Sequence, residues 1–475
     1  MVMKKRSISL FLIIFLFCAI FTPDFFPFSM RYLIAFFCII GIIWHWIKTK
    51  KAVFDKRFMH IFIGFIPLLV WVILAQIIHI LTDSMHRDVY VYTLTHTLEV
   101  FLAGFLIGLF LTYVAEQYKY SFSDFIRILM IVTLIQFVCV VLALLFPAVR
   151  LFFNAFTIKN SQSEKLAMLA LASSSGLVDR SYGLSSNLFD SFGFISALLI
   201  CLILIYGMEI KNNLVKVLSF FMILLPLVNA RTGLLLVIVG FVVTGFFYLN
   251  FKTVLRNLLI FILAAVALLF IIRRLPESMI AWISKGFSET RSILSGDEKG
   301  DVFSKLFGYD LVFPSSLFLG DGGYPKHLIN YSVDNGYINC LWNFGIVGSF
   351  FLFMGYINMF RISFKSTTRK MNKAISVVIA TIFFVYLFKI YSIDNFGGIV
   401  LIFGIVSMII RQADKPLTIN TYQSYNPVLF DINNYNRDIN FFEDICVDKR
   451  SADDLNDFLE NMSVKSAENS TDGES

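Results

Sequence analysis

Long apolar runs separated by short polar or charged punctuation dominate the chain. They fall at approximately residues 7–23, 31–47, 58–81, 91–114, 125–146, 188–208, 213–230, 232–250, 257–272, 336–360, 374–392 and 396–411. A bilayer core of about 30 Å takes roughly 20 apolar residues per helix, and a chain that crosses lipid must satisfy its backbone internally. The pattern therefore predicts an all-α polytopic membrane protein with about 12 transmembrane helices. Two polar stretches are too long to be simple turns, residues 147–187 and 273–335, and loops longer than about 15 residues are usually functional.

Composition strengthens this picture. Hydrophobic residues make up 57% of the 475, 54 are Phe, only 15% are charged, and mean hydropathy is +0.75, more apolar surface than a soluble core absorbs. A nucleic-acid partner is not expected. The start, MVMKKR before an apolar run, resembles a signal peptide, yet FTPDFFPF offers no small-residue cleavage site, so the run is read as an uncleaved span.

Charge then orients the spans. The N-terminus and the segments KTKKAVFDKR, EQYKYSFSDFIR, MEIKNNLVK, NFKTVLRN and RISFKSTTRKMNK are rich in Lys and Arg, whereas the short loops of the opposite side carry only Arg31, Arg87 and Arg231. By the positive-inside rule both termini are expected in the cytoplasm and the two long loops outside. Residues 1–411 form the membrane body. Residues 412–475 are rich in Asp, Glu, Asn and Ser and read as a solvated, partly disordered acidic tail.

Common cofactor chemistry finds no foothold. The cysteines Cys18, Cys38, Cys139, Cys201, Cys340 and Cys446 are scattered, the six His form no HxxxH or HExxH pair, and no phosphate-loop, dinucleotide or zinc motif occurs. No metal and no cofactor is expected. Within the long loops, Ser161 and Glu164 have capping-box spacing, Met279, Ile280, Ile283 and Phe287 recur at helical spacing, and LGDGGYPKH is glycine-rich.

Candidate chemistry gathers on the outer side. Arg180 stands in DRSYGLSSNLFDSFG with Gly183 and Asn187 close behind, Arg231 in the turn LVNARTGLLL, and Arg291 in the second long loop. A guanidinium at the membrane boundary is costly and marks a functional candidate, although a snorkelling anchor explains Arg231 equally well. Two or three guanidinium groups make a pyrophosphate clamp. In DNGYINCLWNFGIVG, Asp334 and Asn335 open a span whose Gly345 and Gly348 have helix-packing spacing. A helix cap plus a packing face accounts for that stretch without catalysis.

Taken in order, R-x-x-G before one span, A-R-T-G between the next two, a large outer loop and a polar pair followed by x9-G-x-x-G resemble the O-antigen polymerase and ligase superfamily (Wzy and WaaL types). The resemblance covers residues 150–360 by motif and the membrane body by topology. Ligases of that superfamily carry His-Asn where Asp334 and Asn335 stand here, so the resemblance points to the polymerase branch, with His327 as a displaced candidate partner. It implies a GT-C-like, metal-independent glycosyltransferase of the bacterial inner membrane. Its expected partners are an undecaprenyl pyrophosphate-linked oligosaccharide as substrate, membrane lipid, and a chain-length regulator protein. Arg180 and Arg231, with Arg291, would hold the departing pyrophosphate. Asp334 would act as general base, Asp190 and Asp321 being alternatives, with Asn335, His327, Gly183 and Asn187 near the substrate. A ligase and a lipid-linked oligosaccharide flippase are the rival readings.

Overall fold

In a computed structural model of the chain, the described residues are 2–23, 30–49, 56–82, 87–146, 148–149, 152–153, 182–185, 189–229, 231–248, 273, 280, 284, 313–322, 335–389 and 395–412. All regular structure among them is helical. The helices are α1 (Val2–Phe21), α2 (Met30–Thr49), α3 (Lys56–Leu81), α4 (Arg87–Tyr118), α5 (Phe122–Leu145), α6 (Phe189–Glu209), α7 (Asn213–Phe221), α8 (Leu224–Asn229), α9 (Arg231–Tyr248), α10 (Gly336–Lys365), α11 (Lys370–Leu387) and α12 (Phe396–Gln412). Among the described residues, seven helical windows are long and apolar enough to cross a membrane, in α2, α3, α4, α5, α6, α10 and α11. Four further runs, Ile8–Phe21, Asn213–Asn229, Thr232–Tyr248 and Phe396–Arg411, are apolar but shorter. The chain is thus an α-helical membrane-embedded protein. The expected span 257–272, most of both long loops and, apart from Gln412, the acidic tail 412–475 lie outside the described residues.

Helix boundaries follow from local chemistry. Ser121 caps α5 by accepting from the Asp124 amide while Asp124 accepts from the Ser121 amide, a reciprocal capping box. Asn212 caps α7 through the amides of Leu214 and Val215. The run 213–230, expected as one span, is two helices parted by a turn at Met222–Ile223. Pro226 lies in the first turn of α8, where an N–H has no intrahelical acceptor, whereas a helix continuing through it would lose one backbone hydrogen bond. Sequence periodicity does not report such a break, because the apolar run is uninterrupted.

Side-chain meetings fix the direction of each helix. Gly193 abuts Gly233, Cys201 abuts Gly240, and Tyr248 donates to Glu209, so α6 and α9 run parallel. α11 runs against both: Phe194 stacks on Tyr386, and Lys370 sits over the Tyr248 ring. α10 and α11 form an antiparallel pair, tied by Ser363 to Ser376 at one end and Tyr337 to the Phe384 carbonyl at the other. α4 and α12 run parallel, from Gly104 against Ile399 to the Arg411–Glu116 ion pair. α3 opposes α10, with Gly64 against Asn358 and Gly348 against Trp71. Ile20 at the end of α1 meets Gly397 near the start of α12, and Arg31 near the start of α2 lies over Phe396.

Two ends of the bundle result. One gathers the N-termini of α2, α6, α9, α10 and α12 with the C-termini of α1, α3, α5 and α11. The other gathers the basic turn between α10 and α11, the α6–α7 turn, and the two extremes of the body, the start of α1 and the end of α12.

Packing explains which apolar helix goes where. α6 is buried around its whole circumference, with Ala197, Ile200, Cys201 and Ile203 fully inaccessible. α12 is similarly enclosed, and such all-round apolar helices belong in the core of a large bundle or a membrane protein. In contrast α2 and α3 turn Phe36, Ile40, Trp44, Ile63, Ile73 and Ile77 outward. An apolar belt on that scale on the outside is what hydrocarbon solvates and water does not.

Candidate functional site

The end that collects the N-termini of α6, α9, α10 and α12 is built from three sequence features. The first is the turn at Gly183. Gly183 is buried with φ of 56°, and a Cβ there would meet Gln136 and Cys139 of α5. Only glycine takes that backbone at little cost and in that space. The Gln136 amide donates to the Tyr182 carbonyl, and the Tyr182 ring packs edge-on against Phe192. The residues after Arg180 are therefore pinned between α5 and α6. Arg180 and Asn187 themselves lie outside the described residues.

The second feature is the start of α9. Arg231 is its first residue, and two residues later Gly233 rests on the Gly193 backbone and Pro226. A larger residue at 233 would push the start of α9 away from α6. Asp190 lies in the first turn of α6, half-buried, so Arg231 and Asp190 open two parallel helices whose backbones touch one turn further in. Acidic groups in a first turn are favoured by the helix dipole. Beside them Asn395 caps α12 through the Gly398 amide and donates to the Ser191 carbonyl, binding α12 to α6.

The third feature is the mouth of α10. Asn335 is its N-cap, its side-chain oxygen accepting from Tyr337 at 3.0 Å and Ile338 at 3.3 Å. Capping is therefore the role the geometry gives Asn335. Asp334 and His327 lie outside the described residues, as does Arg291.

Further along α10 the expectation of a glycine packing face needs correction. Gly345 has φ of 65° and ψ of −174° and breaks the helix. Residues 313–322 insert at the break: the Trp342 carbonyl accepts from the amides of Asp321 and Gly322, and the Ile346 amide donates to the Leu317 carbonyl. Trp71 of α3 donates its indole N–H to the Phe344 carbonyl and packs edge-on to Phe318. Groups freed by the break are thus met by the inserted loop and one tryptophan, as buried backbone requires. Gly348 keeps the packing role, against Trp71.

Asp321 is placed by the same loop. Its carboxylate accepts from the Ser315 amide and hydroxyl and from the Ser316 amide, at 2.6 to 3.0 Å, and only 5% of the residue is accessible. It closes the 315–321 loop, and as a general base it would have to give up those bonds. Among the described residues no group of His, Cys, Asp and Glu could hold a metal ion.

Of the sequence-derived candidates, Gly183, Arg231, Asp190 and Asn335 come to one end of the bundle. Gln136, Trp71, Tyr337 and Asn395, which hold this end together, were not singled out by sequence. Each is a single polar or aromatic residue without periodic signal. No family model matches the chain, and no curated protein or solved structure matches it.

Proposed function

We propose that this chain is a polysaccharide polymerase of the O-antigen type. It would transfer a growing glycan from undecaprenyl pyrophosphate to a lipid-linked repeat unit at the outer face of the bacterial inner membrane. The observation that carries the reading is the meeting at one end of the bundle of the Gly183 turn, the first residue of α9, Arg231, and the Asn335-capped mouth of α10. These segments are far apart in sequence, and they are the ones whose motifs resemble the superfamily. The N-termini of α6, α9, α10 and α12 also face this end, and each contributes a partial positive charge suited to a phosphate.

In this reading the membrane body has twelve crossings, with both termini in the cytoplasm. The end of α9 and the start of α10 lie at opposite ends of the bundle, which supports a further crossing between them, the place of the apolar run 257–272. Arg180 and Arg231, aided by Arg291, hold the pyrophosphate as negative charge builds on it, and preorganised charge of that kind is often the largest share of catalysis. Asp334 takes the proton from the acceptor hydroxyl as it attacks the anomeric carbon. Asn187, His327 and the Asn335 amide border the acceptor. The chemistry asks for no metal and no cofactor, and a chain-length regulator is the natural protein partner.

The test is a chromosomal deletion complemented with variants, read by gel profile of the cell-surface polysaccharide. A deletion should leave core capped by a single repeat. Uncapped core with polymer still on its carrier would assign a ligase instead, and cytoplasmic lipid-linked units a flippase. The flippase reading has one observation in its favour, the broken helix α10 with its inserted loop, a device also used by transporters.

A further inference from the structure

Between α10 and α11 runs a groove of about 480 Å³ whose lining includes Phe360, Phe364, Thr381, Phe384 and Phe388, with Arg361 at one end. We infer that this groove holds one anionic phospholipid, its phosphate on Arg361 and Lys373 and one acyl chain along the aromatic lining. The inference is independent of the polymerase reading.

Three features specify the occupant. Length is the first: the α11 side of the groove extends from Ser376 to Phe388, about 18 Å at ~1.5 Å per residue, close to the depth of one leaflet of a ~30 Å core. Lining is the second, since the walls are almost wholly apolar and aromatic. Two of them, Phe364 and Phe388, are 37% and 53% accessible, so the groove opens sideways into the lipid belt. A peptide laid there would leave its backbone groups unpaired in hydrocarbon.

Charge is the third. Arg361 lines the groove, and Lys373 stands over the Phe364 ring at 5.3 Å from its centroid, so two cations flank one aromatic wall at the same end. Residues 360–388 include Arg361, Lys365, Arg369, Lys370 and Lys373 and contain no Asp or Glu. Among the described residues no carboxylate pairs with Arg361 or Lys373. Basic pockets between transmembrane helices recognise anionic headgroups. A second copy of the chain pressed on this face would instead bury Arg361 against apolar surface, which is unfavourable for an unpaired charge.

The experiment is native mass spectrometry of the detergent-purified full-length protein, titrated separately with phosphatidylglycerol, phosphatidylcholine and inorganic phosphate. One phosphatidylglycerol should be retained in preference to phosphatidylcholine. Arg361→Ala and Lys373→Ala should each weaken it about fivefold, equivalent to about 1 kcal/mol per basic residue. Ala380→Phe, which fills the groove from its α11 wall, should weaken it with both cations intact, and monodisperse elution keeps folding separate from binding. Equal retention of phosphatidylcholine would overturn the inference. So would a double cation variant that binds normally, or phosphate binding that Ala380→Phe leaves unchanged. Disulfide-linked dimers of Ala380→Cys in the membrane would assign the face to a second copy and overturn it as well.

Discussion

At the scale of single residues, the glycines separate into those that merely fit a helix and those the fold cannot replace. A Cβ at Gly345 would lie inside the Phe318 carbonyl, and its φ of 65° is itself unfavourable for any side chain. Gly345→Ala should therefore lower stability by about 3 kcal/mol or more, from backbone strain and overpacking together. Gly404→Ala is the control. It sits in α12 with a flexible Leu111 tip as its nearest neighbour, at 3.0 Å, and alanine's helix propensity is worth about 1 kcal/mol over glycine. It should be neutral or slightly stabilising, and thermal unfolding in detergent compares the two. Trp71→Phe keeps an aromatic ring but removes the donor to the Phe344 carbonyl. It should cost about 1 to 3 kcal/mol, the penalty for an orphaned polar group, in the same assay.

At the scale of elements, α10 tests whether capping and chemistry are separable. Asn335→Ala removes the acceptor for the Tyr337 and Ile338 amides and should cost about 1 kcal/mol. Asn335→Asp restores an acceptor and should recover that stability. If Asn335→Asp is stable and still makes no long polymer, the Asn335 amide serves the substrate as well as the helix. Asp334→Asn against Asp334→Ala asks the corresponding question next door, since asparagine cannot take a proton. Full-length polymer from Asp334→Asn would remove Asp334 as the base.

The whole molecule carries the prediction about sidedness. Leu319 lies in the loop inserted at the α10 break, and Thr368 lies in the turn between α10 and α11 at the opposite end. Single cysteines at these positions should react from opposite sides with a membrane-impermeant maleimide. Leu319→Cys should label in intact cells and Thr368→Cys only after permeabilisation; the reverse would invert the topology and place the candidate site in the cytoplasm. With Leu319→Cys labelled from outside, Arg231→Ala should abolish long-chain polysaccharide at normal protein levels if the proposed function holds. Unchanged chain lengths would remove Arg231 from the pyrophosphate clamp.

What the sequence by itself determined is the helical, membrane-embedded class and the approximate place of most helices. Lipid imposes one rule, an apolar stretch long enough to cross with its backbone bonds closed locally, and that rule is written in consecutive residues. Helix caps were readable for the same reason: Asn335 and its two recipients lie within three residues. Other features depend on contacts that the local run of residues does not announce. Gly345 in isolation has the look of a helix-packing glycine, and only the carbonyls and amides of residues 317–322 make a break there tolerable. Asp321 stood in the sequence as an alternative base, and only its own closed loop shows that carboxylate already engaged. The meeting of Gly193 with Gly233, which sets the start of α9 beside that of α6, leaves no periodic mark on either segment. Tertiary structure alone decided these points, because backbone proximity across a bundle is a property of pairs of surfaces, whereas hydropathy is a property of one.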